Sequence, residues 1–186
     1  MAIQASIITI GDELLIGQVI DTNSAFIAQT LNNIGVQVKN RIAVGDNIKD
    51  ITEALDTTIR QNNIVILTGG LGPTADDITK PLLNNYFGGK MIVHQPTLDH
   101  ITHLFEQIHK KPMIERNRKQ AEVPDVCEVL FNEKGTAPGM LFNKLNTLVF
   151  SLPGVPHEMR WLMTEHVLPK IKAHFKPSFV EHRTLL

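Results

Sequence analysis

Cysteine is almost missing from this chain of 186 residues: Cys127 stands alone. No disulfide can form within the chain, and a reducing compartment is expected. Cys127 lies in the apolar stretch CEVLF and reads as a buried structural thiol rather than a nucleophile. No run of about 18 apolar residues is present, which excludes a membrane-spanning helix. The opening MAIQASIITIG has no basic segment ahead of its apolar residues, so a secretory leader is not expected either, and the location expected is cytoplasmic. Charge of one sign is also lacking. A formal net charge of −1 gives no general attraction to nucleic acid or to an anionic membrane, and neither is expected as a partner. There is no internal repeat, no low-complexity segment and no Walker A loop: Gly89–Lys90 lacks the upstream spacing and is followed by Met91.

What is present is a chain long enough for one domain with a substantial core, 42% apolar and 20% charged. Residues 3–10, IQASIITI, read as a first buried strand, and the loop GDELLIGQVIDTN follows. A helix is expected from about Ser24 to Ile34, with Ile27, Leu31 and Ile34 on one face and Gly35 as its stop. Residues 36–44 suit a second strand. Gly45 and Asp46 turn the chain, Asp46 or Asn47 caps the next helix, and Ile48, Ile51, Leu55 and Ile59 repeat at helical spacing.

The third strand, Ile64 to Leu67, runs into the glycine-rich turn of residues 68–75, and Pro73 and Thr74 are expected to open the next helix with Asp76 and Asp77 in its first turn. That helix should end near Tyr86 and Phe87. Strand and helix alternating three times imply an α/β fold with a parallel sheet covered by helices. Ligands of such sheets bind outside the carboxyl ends of the strands, which is where the loops at 11–23, 45–47 and 68–77 must gather.

Residues 90–125 read as irregular, with a helix from Pro96 carrying Leu98, Ile101, Leu104, Phe105 and Ile108. The basic cluster Lys110, Lys111, Arg116, Arg118 and Lys119 reads as a solvated helix face, with a rim meeting substrate phosphates as the sharper reading. Short strands follow in CEVLFN, GMLFN and TLVFSLPG, with a hairpin turn at Lys144–Leu145–Asn146. A last helix is expected from Pro156 to about Phe175. Residues 1–175 form the domain, and the tail 176–186 reads as a linker or strand leading toward a further domain.

The glycines Gly69, Gly70 and Gly72 let a ligand approach the backbone, and N–H groups of such a turn attract an anion. The G-x-G-x-x-A of Gly70–Ala75 is not a dinucleotide fingerprint, because it follows the third strand and has no acid about 20 residues on to hold a ribose. Five acids share that edge: Asp12 and Glu13 after strand one, Asp46 after strand two, Asp76 and Asp77 after strand three. Such a gathering is costly without a counter-charge. Hard oxygen donors suit Mg²⁺ or Mn²⁺ with a phosphate completing the shell. Capping or turn closure is an equal reading for Asp46 and Asp76, and Asp77 is the stronger candidate. His100 and His103 share a helix face but lack further ligands for zinc. His157 lies near the site edge or serves only to start a helix. The GTAPG turn, residues 135–139, allows close ligand approach or is a simple bulge.

The strings IGDELLIGQVIDTN at 10–23, VGDN at 44–47, TGGLGPTADDIT at 68–79, KQAEVP at 119–124, NEKGTAPGM at 132–140 and LPGVPHEM at 152–159 keep their order over nearly the whole chain. Together they resemble the N-terminal domain of the CinA (competence/damage-inducible) family, a relative of the MoaB, MogA and MoeA molybdopterin-binding domains. The resemblance implies a three-layer α/β/α sandwich around a mostly parallel mixed sheet, and a pocket built from the post-strand loops and the GTAPG turn. It implies functional roles for Asp77 and Asp46, and hydrolysis of ADP-ribose to AMP and ribose 5-phosphate with a divalent metal (Mg, Mn or Co). On that reading Asp77, Asp46, Asp12 and Glu13 are the catalytic candidates, and Asp12, Asp76 and Asp77 the metal ligands. Asn23, Gly69, Gly70, Gly72, Thr74, Lys80, Gln120, Gly135 and Thr136 are the candidates for substrate binding. A nucleotide substrate and a homodimer are the implied partners. The alternative is a non-catalytic pterin- or nucleotide-binding module, and the family's separate deamidase domain is not expected within these residues.

Overall fold

The most buried segment is also the most central one. All five residues of the third strand, Ile64–Thr68, are buried, as their unbroken apolar run requires of a strand covered on both faces. The structure, a computed structural model, describes residues 2–74, 77–108 and 110–176. In chain order its elements are β1 (Gln4–Ile10), α1 (Asp12–Leu15), α2 (Thr22–Asn33), β2 (Gln37–Val44), α3 (Ile48–Gln61), β3 (Ile64–Thr68), α4 (Thr79–Phe87), β4 (Met91–Val93) and α5 (Gln95–Thr102). Then come α6 (Glu115–Arg118), β5 (Glu122–Pro124), β6 (Glu128–Leu130), β7 (Gly139–Lys144), β8 (Thr147–Leu152), α7 (Pro156–Leu162) and α8 (Leu168–Phe175). The tail read as an incoming strand, residues 177–186, lies outside the described residues, as does Asp76.

Six strands form the main sheet in the order β2-β1-β3-β8-β7-β6. The first four are parallel, and β7 and β6 complete it by antiparallel pairing. The register sets Ile7 beside Ile66 and Ile66 beside Phe150. These three belong to a core shared with Ile27 and Leu31 of α2, Met159 and Leu162 of α7 and Ile171 of α8. The alternate residues Ile8, Val65, Leu67 and Val149 pack on the other face against Leu55 and Ile59 of α3 and Leu83 of α4. Period-two alternation thus divides the sheet into two apolar faces, each under helices, and the three-layer sandwich follows. Each such aliphatic side chain contributes about 1.5–3 kcal/mol by leaving water.

Capping fixes the loops that matter. Asp21 accepts a hydrogen bond from the Ser24 N–H at 2.9 Å and starts α2. Asn47, not Asp46, caps α3 by accepting from the Lys49 N–H at 2.8 Å. The β7–β8 hairpin turns on Leu145 and Asn146, both with positive φ (54° and 64°), the conformation that a two-residue turn demands.

Three expectations are corrected. The helix after β3 starts at Thr79, not at Pro73 or Thr74, because the Asp77 carboxylate holds the preceding loop in a non-helical shape. Asp12 and Glu13 lie in a short helix, α1, rather than in open loop. The irregular stretch 90–125 holds a small antiparallel sheet of β4 and β5, enclosing α5. The last helix runs from Pro156 to Phe175 as expected, with a π-helical segment, Met163–Val167, joining α7 to α8 just before Pro169, which has no N–H for the regular ladder. Among the described residues no helix is long and apolar enough to cross a membrane.

Candidate functional site

The carboxyl ends of β1, β2, β3 and β8 open onto a cavity of about 370 Å³, the place a parallel sheet offers a ligand. Its walls include Glu13 after β1, Asp46 after β2, Gly69–Gly72 after β3 and Pro153–Val155 after β8. Gln120, Thr136 and Glu158 come in from the far side. The three post-strand loops therefore meet as the topology requires.

The glycine-rich loop is held from within. Asp77 accepts hydrogen bonds at Oδ1 from the Gly72 N–H (2.8 Å) and at Oδ2 from the Thr74 N–H (2.9 Å) and the Thr74 hydroxyl. A side chain at Gly72 would collide with that carboxylate. Gly69 has φ 118°, and a Cβ there would strike the Ile10 carbonyl oxygen at the end of β1. Gly70 has φ 66°, and its Cβ would strike the Thr79 hydroxyl. Glycine is thus required at these positions for backbone reasons before any ligand arrives. The N–H of Gly69 donates to the Leu152 carbonyl, so neither Gly69 nor Gly72 has its N–H available for an anion. Within the described residues those of Gly70 and Leu71 make no hydrogen bond.

Asp12 and Asp46 bind each other's backbone. The Asp12 N–H donates to Asp46 Oδ2 (3.2 Å), and the Asp46 N–H donates to Asp12 Oδ1 (3.1 Å). The side-chain-free Gly45 lies against the same Asp12 carboxylate. This clasp ties the loops after β1 and β2 together, and of its two acids only Asp46 lines the cavity.

The remaining candidates divide between the wall and the frame. Gln120 and Thr136 line the cavity. Lys80 does not. It is buried, its Nζ donates to the Gln120 carbonyl at 2.9 Å, and desolvation lowers its pKa to about 8 against the pull of Glu122, Cys127 and Asp77. Its expected place on the rim gives way to a position beneath it, fixing Gln120. Asn23 is buried as well. Its amide N–H groups go to the Gly154 carbonyl (2.8 Å) and the Thr68 hydroxyl (3.3 Å), so it fastens the loop after β8 and lines a smaller adjoining cavity. Thr74 faces a third hollow, with Arg116 and Lys119, the two members of the basic cluster that approach the glycine-rich loop. Gly135 lies under the Glu158 carboxylate, where a Cβ would not fit. His157 is exposed at the start of α7. His100 is half-buried and packs edge-on against Phe131. Cys127 is half-buried, and burial pushes its thiol up to about 11.

Glu158 is the site residue that motif spacing alone did not single out. It sits in the first turn of α7, is 9% exposed, and accepts from Asn132 Nδ2 at 2.6 Å. Burial raises its pKa, against the lowering by Asn132 and His157. The signal was its place in LPGVPHEM, one residue past the histidine that drew notice.

A divalent metal can be tested against these donors. Among the described residues the cavity is walled by four carboxylates, of Glu13, Asp46, Asp77 and Glu158, and by no lysine, arginine or histidine. Among the described residues no three histidine, cysteine or acidic side chains form a ready metal cage. Mg²⁺ needs none, since it keeps several waters and takes one or two carboxylates together with substrate phosphate. The hard-oxygen, cation-free wall fits such an ion.

Comparison with known proteins places this architecture. Residues 6–173 match the family described as "Probable molybdopterin binding domain". The chain belongs to that family, and within it to the CinA group. A "CinA-like protein" of Flavobacterium psychrophilum is 48% identical over 98% of the chain and 44% of its own length. A "Putative competence-damage inducible protein" of Caldicellulosiruptor bescii is 41% identical over 92% of the chain and 42% of its own length. The chain spans less than half the length of these curated relatives. The crystal structure of CinA from Thermoplasma acidophilum, a protein described as of unknown function, superposes with a TM-score of 0.79 at 32% identity, covering 91% of this chain and 97% of that one. MoaB of Thermus thermophilus, at 18% identity and a TM-score of 0.62 over 97% of this chain and all of its own, shares the fold.

Proposed function

We propose that this domain is a divalent-metal-dependent nucleotide pyrophosphatase that hydrolyses ADP-ribose to AMP and ribose 5-phosphate. The observation that carries the reading is the cavity's charge: glycine backbone suited to an anion stands among carboxylates, with no basic side chain among the described residues of the wall. A diphosphate can lie there only with a cation between it and the acids. Asp77 and Asp46, with Glu13 and Asp12 beside them, are the groups to hold that cation. Asp76, the other expected ligand, lies outside the described residues. The bound ion supplies charge neutralisation at the diphosphate and at the departing phosphate.

The chain's own part is positioning. The N–H groups of Gly70 and Leu71 donate to non-bridging phosphate oxygens, and the Asp77 clasp keeps that loop shape set before substrate binds. Thr136 and Gln120 offer hydrogen bonds to ribose hydroxyls, with Gln120 held by Lys80. Arg116 and Lys119 flank the loop's outer side, where they favour the approach of phosphate.

One observation favours the second reading, a non-catalytic pterin- or nucleotide-binding module: both Asp77 oxygens already accept hydrogen bonds within their own loop. Incubating the chain with ADP-ribose and Mg²⁺, Mn²⁺ or Co²⁺, with EDTA as the control, separates the two. Metal-dependent release of AMP is expected. Binding of ADP-ribose without AMP in any of the metals leaves the module.

A further inference from the structure

Hydrolysis of a phosphoanhydride needs a group to take the proton of the attacking water. Among the described residues the cavity wall holds no histidine, lysine, tyrosine or cysteine, and its acids are Glu13, Asp46, Asp77 and Glu158. Asp77 is spent on the loop clasp at both oxygens. Asp46 is bound to the backbone of Asp12. Glu13 is exposed and follows the mobile-charge logic of a solvent-facing acid, well screened by water. Glu158 differs from all three. It reaches the cavity from an otherwise buried position and is fixed from behind.

The fixing is specific. Asn132 Nδ2 donates both to Glu158 Oε2 (2.6 Å) and to the Ala137 carbonyl (2.9 Å), while Asn132 Oδ1 accepts from the Lys134 N–H (3.0 Å). The asparagine therefore cannot turn without losing its own bonds, and the carboxylate it holds keeps one rotamer. Gly135 completes the seat, since any Cβ there would occupy the place of the Glu158 carboxylate. The GTAPG turn thus serves as a socket for an acid from α7. A carboxylate held in one place at a cavity wall by a buried asparagine is suited to act as a general base.

We propose that Glu158 is the general base of the hydrolysis, with Asn132 and Gly135 as its positioning residues; this rests on the hydrolase reading of the cavity. The Glu158 carboxylate takes a proton from water as the water oxygen bonds to one phosphorus of the diphosphate. The bond from that phosphorus to the bridging oxygen breaks, and its electron pair leaves on the bridging oxygen of the second phosphate. Glu158 then releases the proton to solvent. One water is consumed, two phosphate monoesters form, and the carboxylate is restored. Burial raises the Glu158 pKa, which makes it a better base than an ordinary carboxylate and moves its acid limb upward. The titratable groups around it are His157 on the same helix, Lys134 on the socket loop, and Glu13, Asp46 and Asp77 across the cavity.

The test compares wild type, Glu158→Gln and Glu158→Asp in ADP-ribose turnover with Mn²⁺, with ADP-ribose binding and thermal unfolding measured alongside. Glu158→Gln keeps the shape and an acceptor for Asn132, so folding and binding should persist while kcat falls by about 10²–10⁴. Glu158→Asp, with a carboxylate set back, should retain part of the rate. The acid limb of the wild-type kcat/KM profile should be missing from the residual activity of Glu158→Gln. If wild type turns over and Glu158→Gln keeps its kcat, or if only binding falls, the base assignment is wrong and the hydrolase reading stands. If wild type itself forms no AMP, both fall together.

Discussion

Replacing Asp77 with alanine removes three hydrogen bonds at once, those from the Gly72 N–H, the Thr74 N–H and the Thr74 hydroxyl. Buried bonds to a charged acceptor contribute about 1.5–3 kcal/mol each. This loop is solvent-exposed, which reduces them to roughly 0.5–1 kcal/mol each, or about 2 kcal/mol for the closed loop. Because β3 and α4 keep their core contacts, little of this should reach global stability, and the fall in Tm should be no more than about 4–8 °C. The local effect is larger. About 2 kcal/mol is roughly a 30-fold change in the population of the closed loop. Hydrogen exchange at the Gly72 and Thr74 amides should therefore quicken by about 30-fold, and kcat/KM should fall at least as far, since the donors of Gly70 and Leu71 are no longer set in place. Asp77→Asn should exchange less rapidly than Asp77→Ala at Gly72, because its amide oxygen still accepts there. Unchanged exchange at both amides, together with kcat/KM within about twofold of wild type, would refute the clasp and its part in turnover.

Two further outcomes follow from the frame around the cavity. Gly69→Ala forces a side chain into positive φ and against the Ile10 carbonyl of a central strand, and should cost about 3 kcal/mol in urea unfolding; a loss under about 1 kcal/mol would mean that the loop shifts freely at the strand end. Burial holds the Lys80 pKa at about 8, below the 10.5 of the unfolded chain. Between those values the unfolded chain binds the extra proton, so raising the pH from 8 toward 10.5 should stabilise wild type relative to Lys80→Met, by up to about 3 kcal/mol. Equal pH dependence of the two proteins in urea titrations would show that Lys80 is solvated.

The parts of the fold that were legible in the sequence are those where burial is continuous. Ile64–Leu67 declared a strand covered on both faces, and the spacing of Ile51, Leu55 and Ile59 declared a helix. β4 was not legible, because Ile92 and Val93 are about half exposed and the strand is three residues long. The start of α4 was misplaced because Pro73 and Thr74 carry a helix-opening signal that Asp77, three residues on, overrides with side-chain hydrogen bonds. The acids of the site could be found by their position after strands. Their division of labour could not, since the exchange between Asp12 and Asp46 depends on loops brought together from 34 residues apart. Glu158 was hidden for the same reason: its partner Asn132 and its socket at Gly135 lie on a different segment.

The central claim, a metal-dependent phosphoanhydride hydrolase, is tested most directly by following AMP and ribose 5-phosphate together as ADP-ribose is consumed by the chain. The account predicts equal amounts of the two products, formed with Mg²⁺, Mn²⁺ or Co²⁺ and abolished by EDTA. ADP-ribose that binds the chain in the presence of each metal and is recovered intact would contradict it.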